Sequence, residues 1–161
     1  GANRKWFGTL SSGAYLMSDD ARTELAHFNT LNSPMLSDNV VKVAVNGKTG
    51  EVWFGTAEGI ISCRGEATSG GEDFSGIYAF PNPVRDDFEG VVTVTGLVEN
   101  SSVKITDVSG NLVFETTSLG GQATWDLRNY RSQRVATGVY LVFCSNEDGT
   151  LAGVTKILVI R

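Results

Sequence analysis

β-Branched and aromatic residues gather along this chain in short runs broken by glycine, asparagine, aspartate and serine, and no long stretch keeps a 3.6-residue apolar period. That pattern predicts strands and tight turns with little helix. In the first half the strand candidates are Arg4 to Thr9, Ala14 to Met17, Leu25 to Phe28, Val40 to Val45, Glu51 to Thr56 and Ile60 to Cys63. Apolar residues at the odd positions Val41, Val43 and Val45 predict a half-buried strand. The turn Asn46-Gly47-Lys48-Thr49-Gly50 supplies residues that accept positive φ and predicts a hairpin into Glu51 to Thr56.

Trp6-Phe7-Gly8-Thr9 recurs as Trp53-Phe54-Gly55-Thr56, an offset of 47 positions, and in both copies a glycine, Gly13 or Gly59, soon opens another apolar run. A period of about 40–50 residues with several short strands is the signature of β-propeller blades. The count is uneven: about one and a half blades, with no last strand before the glycine-rich run Ser69 to Gly76. Strand edges left without partners are expected, and with them pairing to another chain as a strand-edge dimer.

The second half begins at Ile77-Tyr78-Ala79-Phe80-Pro81-Asn82-Pro83-Val84. Each proline fixes φ, removes a donor and biases the residue before it toward extended backbone, so no helix crosses this segment. Beyond it, Val91 to Thr95, Ser102 to Asp107, Asn111 to Thr116, Ala123 to Leu127, Gly138 to Phe143 and Gly153 to Val159 follow at the spacing of a small sandwich. In Asp107-Val108-Ser109-Gly110 the glycine takes the left-handed position of a hairpin loop while Asp107 bonds its own backbone, which sets Val103 and Ile105 on one face. Gly138 to Phe143 is nearly apolar throughout, as expected of a central strand covered on both sides or lying against the final strand. The organisation expected is a blade region over 1–68, a linker over 69–76 and a sandwich over 77–161: an all-β chain of partial propeller blades followed by an immunoglobulin-like antiparallel β-sandwich.

Composition narrows the function. With 41% hydrophobic and 19% charged residues the chain is an ordinary globular one, and a formal charge of −5 argues against a nucleic-acid partner, whose binding rests on clustered Lys and Arg. No apolar run is long enough to span a membrane. The abrupt start, without Met and already strand-like by Trp6, reads as that of the C-terminal piece of a longer protein. Cys63 and Cys144 are too few for a disulfide framework and lack metal-ligand spacing; each ends an apolar run and reads as a half-buried thiol.

No constellation points to catalysis or to a cofactor. Gly47-Lys48-Thr49 lacks the earlier glycine of a phosphate loop, since Lys42 stands in its place, and reads as a hairpin turn. His27 is the single histidine and sits beside Phe28 in a strand, as a surface residue of the blade. Asp19-Asp20 and Asp86-Asp87 fall in loops, where carboxylates lack the desolvation that general acid catalysis needs. Asn146 with Asp148-Gly149 lacks the spacing of a calcium loop and reads as a turn, and Asn100-Ser101-Ser102 fits a glycosylation sequon formally. Arg128, Arg131 and Arg134 lie with Tyr130 in one polar loop, as a solvated loop or as a patch for anionic glycan or a protein partner.

Leu36-Ser37-Asp38-Asn39-Val40 together with Gly50 through Ile60 resembles the two-component-regulator propeller repeat of Bacteroidetes surface and periplasmic proteins. A sensor propeller is therefore one implied function. Pro81-Asn82-Pro83, Val103 through Gly110 with Asp107, Trp125-Asp126-Leu127, Gly138-Val139-Tyr140 and Lys156-Ile157-Leu158-Val159 together resemble the C-terminal sorting domain of the type IX secretion system. That resemblance implies a sandwich whose last strands are read at the outer membrane and which, in most members, a sortase removes as it attaches the cargo to anionic lipopolysaccharide. A propeller followed directly by such a domain is similar to a non-enzymatic component of the attachment machinery that keeps its domain. The partners implied are the sortase, outer-membrane translocon or shuttle proteins and anionic lipopolysaccharide, at the cell surface or outer membrane after export through the periplasm. The alternative implied is a secreted propeller protein whose sorting domain is cleaved.

Overall fold

The computed structural model describes residues 3–161. Among them every regular element is a strand, and no helix is long and apolar enough to cross a membrane. The chain divides into two compact units, Gly1–Ser69 and Gly70–Arg161.

The first unit holds two three-stranded antiparallel sheets. One runs β1 (Lys5–Gly8), β2 (Ala14–Met17), β3 (Glu24–Phe28); the other runs β4 (Val40–Asn46), β5 (Glu51–Thr56), β6 (Gly59–Arg64). Ala14, Met35, Val40, Val52 and Phe54 form a core between them, with Trp6, Phe28, Val43, Ile61 and Cys63 packed against it. The Trp6 ring stands edge-on to Phe54 at 5.2 Å and 73°. The odd-position pattern of β4 is interrupted: the pairing with β5 shifts between Val40 and Lys42. This bulge buries Val40 and turns Val41 out to 66% exposure, whereas Val43 and Val45 stay opposite Phe54 and Val52.

The second unit is a sandwich of a four-stranded and a three-stranded sheet. The larger sheet has the order β10 (Leu112–Thr117), β9 (Ser102–Thr106), β12 (Gly138–Ser145), β13 (Ala152–Val159). The smaller has the order β11 (Gln122–Trp125), β8 (Val92–Thr95), β7 (Tyr78–Phe80). Alternate residues of both sheets supply the core: Val92, Val94, Val103, Ile105, Trp125, Val142, Ile157 and Val159 are essentially inaccessible. Strand β12 is central, between β9 and β13, but only one of its faces is covered. Tyr140, Val142 and Cys144 point inward while Val139 and Phe143 remain exposed, so of the two readings of its apolar run the pairing with the final strand holds. Within the glycine-rich stretch 69–76, Phe74 is buried in this core and Gly71 bridges Val98.

Candidate functional site

The motif residues of the sandwich meet at three places. The first is the junction of Pro81-Asn82-Pro83 with the final strand. Both peptide bonds preceding the prolines are cis. β7 belongs to the smaller sheet, but after the prolines Val84 pairs in parallel with Val159 of the larger one, so the chain changes sheets across this segment. The Val84 amide donates to the Leu158 carbonyl at 2.7 Å, and the Ile160 amide donates to the Val84 carbonyl at 2.8 Å. Asn82 extends the ladder with its side chain: Nδ2 donates to the Lys156 carbonyl at 2.9 Å, and Oδ1 accepts from the Leu158 amide at 3.0 Å. A side-chain amide carries the same donor and acceptor as a peptide unit, so asparagine between two prolines supplies what their rings cannot. Lys156 enters this junction through its backbone carbonyl.

The second place is the turn after β9. Asp107 accepts from the amides of Ser109 and Asn111 and from the Asn111 side chain, and Gly110 sits at φ +84°. The Asn111 side-chain bond, followed by the backbone amides, holds the Asp107 carboxyl below its ordinary range. The third is the aromatic core, where Tyr140 packs edge-on to Trp125 at 5.4 Å and its hydroxyl donates to the Ala136 carbonyl at 2.9 Å. Burial pushes the Tyr140 phenol up, and the Asp107 charge adds to the shift. Gly138 opens β12, and a methyl group there would meet Tyr140 at only 3.9 Å, an ordinary contact.

The arginines divide. Trp125 Nε1 donates to the Arg128 carbonyl at 2.9 Å, which ties the loop to the core. Arg128 donates from Nη1 to the Ser132 carbonyl and stands 3.8 Å from Asp126; Arg134 donates from Nη2 to the Phe88 carbonyl. Arg128 and Arg134 line one pocket with Glu89 and Asp126, so the two cations there are matched by two carboxylates. Arg131 does not line that pocket.

Other residues weighed in the sequence take structural places. His27 stacks on Tyr15 at 4.0 Å across β2 and β3. Cys144 is buried and Cys63 half-buried, and both are free thiols. Asn146 and Asp148 close the turn between β12 and β13 on Thr150 and Leu151. Among the described residues no group of three or more His, Cys, Asp or Glu is placed to hold a metal. Two features escaped the sequence reading. Phe74 lies directly over Gly153, where a Cβ would stand 2.5 Å from it. Buried Ser101 and Ser118 also both donate to the Val98 carbonyl, and the Ser118 hydroxyl accepts from the Ser101 amide.

The second unit is thus a two-sheet antiparallel sandwich in which the chain passes from the smaller to the larger sheet through a Pro-Asn-Pro segment clamped onto the last strand. The chain belongs to the secretion system C-terminal sorting domain family, whose profile matches residues 78–160. A solved structure similar to it is PorZ, described as an essential bacterial surface component of the type IX secretion system of Porphyromonas gingivalis. That match has 37% identity and a TM-score of 0.69, over 99% of this chain and 22% of that one. The chain therefore spans under a quarter of PorZ. Dimeric latent PorU of the same organism matches over 69% of this chain and 12% of that one, at 23% identity and a TM-score of 0.42. A comparison with curated protein sequences returns no match.

Proposed function

We infer that this chain serves in a non-catalytic cell-envelope component of the type IX secretion system, of the PorZ kind, in which blade-type sheets lead directly into a retained sorting domain. The observation that carries this reading is the span of the match: both units, in one order, align with a single solved protein over 99% of the chain at 37% identity. In this reading the first unit is blade material over 1–68, and the domain from 77 on is a working part that meets the sortase, translocon or shuttle proteins and anionic lipopolysaccharide at the outer membrane. The clamped Pro81-Asn82-Pro83 segment and the pairing with β12 keep the last strand in register for those contacts, with the Asp107–Gly110 turn and the Trp125–Tyr140 core holding the rest of the sandwich. Arg128 and Arg134, already matched by Glu89 and Asp126, contribute less to anion binding than Arg131 and the exposed Tyr130.

Repeat symmetry supports the blade reading. Trp6 is covered by Phe54 of the next sheet, while Trp53, its counterpart in the repeat, is 44% exposed. In this reading a further sheet of the same kind covers Trp53 in the longer protein, as Phe54 covers Trp6.

The experiment is intact mass spectrometry of the protein taken from the envelope of its own bacterium. A mass that includes residues through Arg161 supports the retained component. A mass ending near Ser69 makes the domain a cleavable address on a secreted propeller protein, and ends the first reading. Exposed Ser69 and Gly70 favour that second reading enough to state it: a cut there leaves Phe74 in the domain's core.

A further inference from the structure

The stretch 69–76 is linker-like in sequence, yet from Gly70 onward it is docked on the sandwich. The Gly71 amide donates to the Leu97 carbonyl at 2.8 Å. A Cβ at Gly70 would stand 2.6 Å from the Glu99 amide nitrogen, so the backbone there approaches more closely than a side chain allows. Asp73 then turns the chain, accepting from the Ser75 amide at 2.9 Å and the Ser75 hydroxyl at 2.7 Å. Between these two residues Phe74 enters the core, where it is 6% exposed, while every other residue from 69 to 76 lies in water.

The last strand is held differently along its two halves. Asn82 and Val84 bond the outer edge over 156–160. Over 152–155 no hydrogen bond reaches that edge among the described residues, and Val154 is 56% exposed. The cover of this half is Phe74, seated on Gly153 so closely that a Cβ there would stand 2.5 Å from the Phe74 Cβ.

We propose that residues 70–76 form a releasable strap on the last strand. Seated, Phe74 closes the core over the first half of β13; lifted, it lets that half part from β12 while the Asn82 clamp keeps the second half in place. The fastening is one apolar ring and a backbone bond to Leu97, and segments held so lightly open at a fraction of the cost of global unfolding. The chain enters the domain through this strap. A pull on the residues before Phe74, or a partner bound to them, therefore acts on the start of the last strand first. The device stands on the sandwich alone, independent of the secretion role.

The test is hydrogen exchange of the whole 161-residue chain, read on peptides over 151–155, over 156–160 and over β8 and β11. Iodoacetamide labelling of Cys144, which stands opposite Gly153 and faces the core, gives a second readout. Phe74→Ala should speed exchange over 151–155 and labelling of Cys144 about a hundredfold, with 156–160, β8 and β11 changing far less. Gly153→Ala keeps the ring but fills its seat, and should reproduce the same pattern. Asn82→Ala should give the mirror image, with exchange about tenfold faster over 156–160 and little changed over 151–155. The proposal is overturned if Phe74→Ala speeds exchange evenly over both sheets, since Phe74 is then ordinary core. It is overturned as well if exchange over 151–155 stays at the parent's rate in either Phe74→Ala or Gly153→Ala. A chain that cannot fold with alanine at 74 overturns it too, because a strap that can lift must leave a folded domain behind.

Discussion

Asn82 donates through its side-chain amide to the carbonyl of Lys156, 74 residues away along the chain and 2.9 Å away in space. The same side chain accepts from the Leu158 amide, so one residue closes the edge of the last strand where Pro81 and Pro83 have no amides to offer. Asn82→Ala removes both bonds but leaves the freed groups near water, so the expected loss is about 1 kcal/mol. Asn82→Asp should cost more, because a carboxylate keeps the acceptor for Leu158 and turns its second oxygen against the Lys156 carbonyl. Urea denaturation of both variants checks the order. If aspartate proves as stable as asparagine, the amide is not the edge clamp.

The Asp107 turn gives a pH dependence of definite sign. Its carboxyl is held below the ordinary range by Asn111 and by the turn amides. A depressed folded-state value contributes stability above the ordinary carboxylate range and loses it as pH falls through the folded value. Asp20, Asp73 and Asp148 are lowered in the same way, by Ser18, Ser75 and Thr150 respectively. The melting temperature of the parent should therefore fall on acidification below about pH 4. The difference between parent and Asp107→Ala should shrink over the same range. A difference that stays constant down to strongly acid pH would show that the carboxylate charge plays no part in the turn.

Glycines with similar prominence in the sequence should respond in opposite ways. Gly138 opens an apolar strand, yet a Cβ there meets nothing closer than 3.9 Å, so Gly138→Ala should be neutral or slightly stabilising. Gly96 has φ +77°, and a Cβ there would stand 2.3 Å from the Gly76 carbonyl oxygen. Gly96→Ala should cost about 1–3 kcal/mol from backbone conformation alone, with the clash added. Thermal melts of the two variants, read side by side, decide it; a tolerated alanine at 96 contradicts the geometry.

These contrasts show what was legible in the sequence and what was not. Period-two alternation located the strands, since one covered face imposes it on Val103 and Ile105 or on Val92 and Val94. Short-range turn chemistry was equally visible: Asp107 and Gly110 act within a few residues of themselves. The strand character of Tyr78 to Phe80 was hidden, because three residues ending at a proline carry too little pattern. The bulge at Val41 was also hidden, since register belongs to a pair of strands and not to either alone. Long-range partners left no local trace at all. Nothing near Phe74 announces Gly153, and nothing near Asn82 announces Lys156, although the Pro-Asn-Pro spelling marked the place. The arginines were legible as a cluster, but their pairing with Glu89 and Asp126 depends on how two loops meet at the sandwich end.

The two thiols should differ in reactivity although both end apolar runs. Cys144 faces the sandwich core, and burial pushes its thiol up to about 12. The thiolate is the reactive form, so at mildly alkaline pH Cys144 should remain unmodified by iodoacetamide until the second unit unfolds. Cys63 is half-buried and raised by burial as well, and it should react slowly in the native chain. Peptide mapping after timed alkylation distinguishes them. Rapid labelling of native Cys144 would mean that the sandwich opens far more often than its packing implies.

The exposed face of β4, β5 and β6 leads to the last expectation. Trp53 is 44% and Ile60 72% exposed on that face, and β6 pairs with β5 alone among the described strands. On that face Trp53 and Ile60 stand among Lys42, Glu51 and Arg64, and a sheet with large exposed apolar side chains and an open edge recruits another chain when none of its own covers it. The same repeat position in the other sheet, Trp6, shows the covering that satisfies it: Phe54 edge-on at 5.2 Å. The 161-residue chain should therefore self-associate with rising concentration in sedimentation velocity. Ile60→Lys places a charge on the face and should move the equilibrium toward monomer, without lowering the melting temperature, because the side chain is already in water. A chain that stays monomeric at high concentration, with Ile60→Lys indistinguishable from the parent, would leave Trp53 and Ile60 without a role in association and weaken the blade assignment that rests on Trp53.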